Sequence, residues 1–375
     1  MPYATVMTAE PQSQVVRITF VDVGQGDCTL IHLPSDEGNE RAILVDCPIG
    51  QSRTVTRLLD HHRISTLELV VITHSHEDHA GGIRDVLDNF MRRPGVAGRL
   101  RAIKEVAYLR DTATPGRAVR HLHDYLADLN DDQPGICTEP RLVTRRYAGT
   151  SLRFIHPDLS SSLRAHGRDL NLASQIVLLE HADVRVLLAS DMTESAWARI
   201  AERERTTGGE ANDSDAAASP MRAHILRYPH HGGEWPRTDA LIGMLRVVQP
   251  RYIVISAGTR NTYQHPTQQA FDALRAIPSI KRVMCTQATS GQCGANPDEP
   301  FHCASHIEIT IGEGRLDVIP SVGEHLVQIR KLRSPSCVPW LPPNWASPSG
   351  DDEPRETTSI NDRRNSEATS TTTST

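Results

Sequence analysis

Nowhere in these 375 residues does an apolar run approach the ~20 residues that a membrane-spanning helix requires, so no membrane association is expected. Residues 1–20 also lack a basic cluster followed by an apolar stretch, and the chain reads as cytoplasmic. Cysteine is sparse. The seven residues from Cys28 to Cys337 are an odd number scattered through a long chain, unlike the dense even framework of a small secreted domain, so disulfides are not expected. Lysine is nearly missing, at positions 104, 281 and 331 alone, and arginine carries almost all the positive charge. Its planar fork is the better bidentate partner for phosphate. Positive charge is itself in deficit, the formal net charge being −6. That excludes a protein that coats nucleic acid nonspecifically, because such affinity comes from many Lys and Arg contacts to phosphate; a local basic groove stays open.

What is present is 38% hydrophobic residues, enough for a substantial core. From residue 15 to about residue 320, short β-branched or apolar runs alternate with helical patterns, as layered α/β architecture requires. Strands are expected at 15–21, 28–33 and 42–45, separated by turn-rich segments, as an antiparallel meander. A helix over 53–62 then leads to a strand over 67–72. The second half repeats the theme, with strands at 174–180, 184–189, 224–228 and 252–256 and helices near 194–205, 238–248 and 267–276. Residues 206–220 read as a mobile loop and 1–14 as a flexible N-terminus. From residue 331 to 375 the chain is rich in Pro, Ser and Thr without apolar periodicity, and is expected to be a disordered tail that truncation would not disturb.

The strongest chemical signal is His74-x-His76-x-Asp78-His79, which begins where an apolar strand stops and ends where a helix opens at Ala80-Gly81-Gly82. Imidazole and carboxylate suit Zn²⁺, Mn²⁺ or Fe, and residues two apart on an extended loop point the same way. His230-His231, just after another strand and before Gly232-Gly233, supplies one imidazole for a metal and one for hydrogen bonding to phosphate or proton transfer. Other histidines (His61, His62, His121, His123, His156, His166 and His181) lack partner spacing and read as ordinary surface or capping residues. Gly24-x-Gly26 is too short for a dinucleotide loop, so no nucleotide cofactor is inferred. Cys285, Cys293 and Cys303, with His302 and His306 nearby, have the donors for a tetrahedral structural zinc; the same spacing also suits small buried hydrophobes around a loop.

In its His-x-His-x-Asp-His run this chain resembles the metallo-β-lactamase superfamily, and other family landmarks follow in order. Asp46, closing the third strand, matches the acidic residue that orients the histidine loop, and Asp191 in Leu187-Leu188-Ala189-Ser190-Asp191 matches the aspartate that bridges two metals. Within the superfamily the chain is similar to the soluble nuclease-like domain of ComEC/Rec2 DNA-uptake proteins and to phosphorylcholine esterases. That likeness lies in Val21-Asp22-Val23-Gly24-Gln25-Gly26-Asp27, Asn171-x-x-Ser174, Pro229-His230-His231-Gly232-Gly233 and Asn261-x-Tyr263-x-His265-Pro266. Two departures stand out: Asn171-Leu172-Ala173-Ser174 replaces the third ligand histidine of lactamases and glyoxalase-type thioesterases, and Gly233 replaces the serine usual after His-His-Gly.

The resemblance implies a four-layer αββα sandwich, a single hydrolase domain over 15–330. It implies two divalent ions, zinc first and manganese as the alternative. His74 and His76 would hold one ion, Asp78, His79 and His265 the other, and Asp191 both. Asp46 would act from outside the ligand set, His230 and His231 would complete the site with His231 as the metal neighbour, and Asn171 would be a further candidate on the ligand-poor first ion. The expected activity is hydrolysis of a phosphodiester, in nucleic acid or a nucleotide, by a hydroxide held between the ions. Thioester or lactam hydrolysis and a non-catalytic metal-binding recognition module are the alternatives.

Overall fold

The computed structural model describes residues 15–35, 38–93, 100–109, 116–139, 142–165, 169–207, 219–312, 314–342 and 358–359. The expected flexible N-terminus, most of the expected mobile loop, His166 and nearly all the tail beyond 342 lie outside the described residues.

The first sheet begins with β1 (Val16–Phe20), β2 (Thr29–His32) and β3 (Arg41–Val45), each antiparallel to the next, which is the expected meander. Helix α1 (Ser52–His61) then carries the chain across to β4 (Thr66–Ile72), parallel to β3. After α2 (Glu77–Ala80) and α3 (Ile83–Arg92), the short strands β5 (Ala102–Ile103) and β6 (Val106–Tyr108) pair with β4. Helix α4 (Arg117–Asp132) leads to β7 (Cys137–Thr138) at the edge.

The second sheet opens with β8 (Thr144–Tyr147) and β9 (Thr150–His156), followed by α5 (Leu159–Ala165) and by β10 (Ile176–His181) and β11 (Val184–Leu188), all antiparallel neighbours. It continues in parallel: α6 (Glu194–Thr207), β12 (Ile225–Arg227), α7 (Thr238–Val248), β13 (Tyr252–Ile255), α8 (Gln268–Arg275) and β14 (Arg282–Cys285). Every residue of β12, β13 and β14 is buried, as parallel strands covered on both faces must be. After α9 (Ser290–Cys293) the chain returns to the first sheet, where β15 (Ile307–Gly312) pairs with β1 and β16 (Arg315–Ile319) with β15. Helix α10 (Val322–Ile329) starts at a capping box in which Ser321 and Glu324 satisfy each other's backbone amides. Finally β17 (Thr358–Ser359) pairs with β16.

Strand alternation sorts the core into three layers of contact. In β3, Ile43 and Val45 face the second sheet while Ala42 and Leu44 face the helices α1, α3 and α4. In β13, Tyr252 and Val254 join that intersheet core while Ile253 and Ile255 pack with Leu241 of α7 and Phe271 of α8. Two sheets face to face with helices outside are the four-layer αββα arrangement expected. One boundary differs. Residues 331–342, expected in the tail, dock on the outer core: Cys337 is buried, Leu332, Trp340 and Leu341 pack against the α7–α8 side, and the Trp340 ring lies 6.4 Å from Phe271. Isolated side chains separated by prolines make this contact, so no periodicity announces it.

Candidate metal centre

Parallel pairing of β3 and β4 brings their C-terminal ends together, Val45 opposite Val71. Asp46 follows with left-handed backbone (φ 60°) and no exposure, its carboxylate pointed at the loop after β4. That carboxylate accepts the Thr73 amide at 2.8 Å and the Thr73 hydroxyl at 2.7 Å, and lies 2.9 Å from His79 Nδ1. The Ser190 hydroxyl, from the end of β11 in the other sheet, donates to Thr73 Oγ1 at 2.8 Å. Gln175 binds the carbonyls of Thr73 and Ile72 at 2.9 and 2.7 Å. Both sheets thus clamp the root of the histidine loop.

Two groups of donors face each other across Asp191. His74, His76 and Asp191 each offer an atom within 4.8 Å of the others, and so do Asp27, His79, Asp191 and His231. His74 Nε2 lies 3.0 Å from His76 Nδ1 and 3.5 Å from Asp191 Oδ2; His79 Nε2 lies 3.1 Å from Asp191 Oδ1. His231 directs Nδ1 at the Ser256 carbonyl (3.0 Å) and Asp27 Oδ1 (3.1 Å), which leaves Nε2 turned toward Asp78 Oδ2 (3.5 Å) and Asp191 Oδ1 (3.7 Å). Imidazoles anchored through one nitrogen and open at the other are what cation ligands need. His79 Nε2, His231 Nε2 and Asp191 Oδ1 are buried without an aligned hydrogen-bond partner. Such atoms are costly unless something satisfies them, and a divalent cation fits this donor set.

Electrostatics agree. Burial, with His79 beside it, lowers His74, and burial with His74 beside it lowers His76, so both rings offer lone pairs at neutral pH. Burial opposes charge on Asp191, yet His79 and His74 hold its carboxyl well below the usual range. His79, against the same burial, is pushed well above the ordinary histidine value by Asp191 and Asp46. Asp78 is depressed by His231 and His79 despite its burial.

The other expected residues fall as follows. His230, with φ 50° and its side chain 34% exposed, sits at the open side with Nε2 3.6 Å from Asp191 Oδ2. His265 belongs to neither donor group: Asn261 accepts its amide at 2.8 Å and donates to its carbonyl at 2.7 Å, fixing the ring beside His230 with centroids 5.2 Å apart. Burial and His230 bring it down to about 4. His231 lies with Asp27, His79 and Asp191 in the second donor group. Asn171 stands in a turn at Leu170–Ala173 with its carboxamide oxygen buried and unpartnered.

Sequence reasoning missed Asp27 as a donor and Arg227 as its buried ion-pair partner. The Asp27 amide donates to the Asp78 carbonyl at 2.9 Å, and a Cβ at Gly26 would lie 2.4 Å from that same oxygen, so glycine is required for the approach. Three histidines expected on the surface are structural. His156 is buried with Nε2 3.0 Å from the Leu172 carbonyl, His181 is buried 3.0 Å from the Thr150 hydroxyl, and His123 bonds Tyr108, whose hydroxyl is 3.0 Å from Ser75.

Cys285, Cys293 and Cys303 are buried together with Cys337 and His325, the latter 3.4 Å from the Cys303 sulfur. Among the described residues no three of these donors come within 4.8 Å of one another, and burial pushes the thiols up, away from the thiolate a zinc would bind. His302 and His306 turn to Asp22 instead. The geometry favours the buried-hydrophobe alternative over a structural zinc.

Residues 21–135 match the family model described as the metallo-beta-lactamase superfamily. No curated protein matches the chain. Solved structures similar to it include Igni18, a metallo hydrolase of the archaeon Ignicoccus hospitalis (14% identity, 80% of this chain and 99% of that one, TM-score 0.41). A long-form RNase Z from yeast is similar at 11% identity (82% and 42%, TM-score 0.34). CmlA, a diiron β-hydroxylase from Streptomyces venezuelae, is similar at 15% identity (70% and 48%, TM-score 0.35), so the chain spans about half of that protein. Among the described residues no helix is long and apolar enough to cross a membrane.

Proposed function

We propose that this chain, whose residues 21–135 match the metallo-β-lactamase superfamily, is a metal-dependent hydrolase that cleaves phosphodiesters. One observation carries the reading: buried donor atoms of Asp27, His79, Asp191 and His231 converge within 4.8 Å of one another, and His79 Nε2, His231 Nε2 and Asp191 Oδ1 among them lack an aligned hydrogen-bond partner. His74, His76 and Asp191 would hold one divalent cation, and Asp191, His79 and His231, with Asp27 or Asp78, a second. Zinc suits these nitrogen and oxygen donors first, manganese next. When bound, the cations supply Lewis acidity toward a phosphoryl oxygen and make water ionisable near neutral pH.

The chain's own groups do the rest. Asp46 sets the tautomer of His79 by facing Nδ1, and Ser256 with Asp27 does the same for His231. His230 is lowered by burial and is neutral at physiological pH, so it donates an Nε2–H or Nδ1–H hydrogen bond to phosphoryl oxygen, or takes a proton, more readily than it delivers one. His265, neutral as well, stands beside it. A phosphodiester is favoured over a thioester because the segment at Asn171 supplies no third imidazole to the first donor group, a pattern that resembles the nuclease-like ComEC/Rec2 and phosphorylcholine-esterase branch. Seven free thiols suit a reducing cytoplasmic setting.

The test is metal content and turnover together. Purified protein should carry close to two transition-metal ions and hydrolyse bis-p-nitrophenyl phosphate faster than a thioester. Asp191→Ala should lose both ions and His76→Ala chiefly one. Full metal content in Asp191→Ala refutes the centre; thioester turnover exceeding diester turnover refutes the substrate class; bound metal without either activity would make the chain a recognition module.

A further inference from the structure

A second polar cleft of about 590 Å³ adjoins the donor groups, lined by Asp22, Gln25, Gly258, Arg260, His302 and His306 among others. The two sites share a wall. Gln25 precedes Asp27 by two residues, at most ~7 Å of backbone, and Gly258 packs so closely on it that a Cβ there would lie 2.5 Å from the Gln25 amide nitrogen. The Gly258 amide donates to Gln25 Oε1 at 3.2 Å, and the same loop continues through Asn261 to His265.

The chemistry of this cleft is that of donors. Asp22 is the only acid among its described lining residues, and both its oxygens are engaged: Gln287 Nε2 donates to Oδ1 at 2.7 Å and His302 Nδ1 faces Oδ2 at 2.5 Å. His306 Nδ1 accepts the Asp22 amide at 2.9 Å, which leaves the neutral ring's hydrogen on Nε2. His302, tied down by one nitrogen, is 59% exposed. Gln25 Nε2 is buried without a hydrogen-bond partner, and Arg260 contributes an exposed guanidinium. The His306 Nε2–H, the Arg260 guanidinium and the unsatisfied Gln25 amide, beside a carboxylate whose two oxygens are already engaged, select anionic oxygen.

We propose that this cleft is an annex that binds a second phosphoryl group of the substrate, so that the preferred phosphodiester carries at least one phosphate besides the one attacked. The proposal rests on the phosphodiesterase reading, and its test separates the two. Inorganic pyrophosphate titrated calorimetrically into metal-stripped full-length protein reads the annex without turnover. Binding should be about tenfold weaker in Arg260→Ala and partly restored in Arg260→Lys. With metal restored, a dinucleotide bearing a 5′-phosphate should show a lower KM than its unphosphorylated counterpart, and Arg260→Ala should remove the difference. Pyrophosphate binding equal in wild type and Arg260→Ala, an absence of binding, or equal KM values for the two dinucleotides each overturn the annex. Arg260-dependent binding without hydrolysis of either dinucleotide would instead overturn the phosphodiesterase reading and make the annex a site for a free anion only.

Discussion

The Arg227 guanidinium and the Asp27 carboxylate form an ion pair in which each side chain is 2% exposed, and the same Asp27 oxygen lies 3.1 Å from His231 Nδ1. Burial lowers Arg227 only to about 9, so it stays charged at neutral pH. Arg227→Met would leave a carboxylate buried without its counter-charge. We expect a loss of about 3–5 kcal/mol in urea denaturation, largely recovered in the double variant Arg227→Met with Asp27→Leu. A single variant within about 1 kcal/mol of wild type would show that the pair contributes little.

The two adjacent histidines should separate in function. His231→Ala removes an imidazole 1% exposed and fixed by Ser256, and should lower metal content and raise the metal concentration needed for activity. His230→Ala, at the open side, should keep its metal and slow turnover by ~10²–10⁴-fold. Equal metal content and near-normal rates in both variants would reduce the pair to surface.

Metal uptake should release a proton from His79. Its ordinary value of 6.5 is raised in the metal-free protein by Asp191 and Asp46 against burial, so at neutral pH the ring is protonated and a cation must displace that proton. The sign for stability follows: the contribution of the charged ring is complete below 6.5 and is lost as pH rises through the raised folded value. Titration of zinc in buffers of different ionisation enthalpy should show release of about one proton at neutral pH, with apparent affinity rising as pH rises. Proton release independent of His79→Gln would contradict this.

Truncation positions should not be equivalent. A stop after Pro342 keeps Leu332, Cys337 and Trp340 on the α7–α8 face and should leave the melting temperature close to that of the full chain. Ending after Lys331 removes all three and should lower stability by about 2–5 kcal/mol, read as a drop in melting temperature. Unchanged melting after the shorter chain is made would mean the docked segment contributes nothing.

Much of the site was legible because its pieces are local. An apolar strand, a histidine run and a helix start lie within residues 66–80, and the strand periods around them predicted the meander and most of the second sheet. What escaped notice was joined only by the fold. Asp27 and Arg227 are 200 positions apart, and nothing near either residue signals the other. His265 sits in a suggestive motif, yet its ring orientation depends on how Asn261 ties the loop, which no spacing encodes. The 331–342 segment docks through single side chains, so no repeat marks it.

Asp46, Ser190, His230 and His231 all hold left-handed backbone angles, at φ 60°, 45°, 50° and 53°, and none is glycine. Each such residue costs on the order of 1–3 kcal/mol relative to a relaxed backbone. A laboratory selection for thermal tolerance alone would therefore drift toward glycine or asparagine at these four positions and gain robustness while dismantling the centre. Stability and activity pull in opposite directions here, and any hardening of this scaffold has to come from the helical layers.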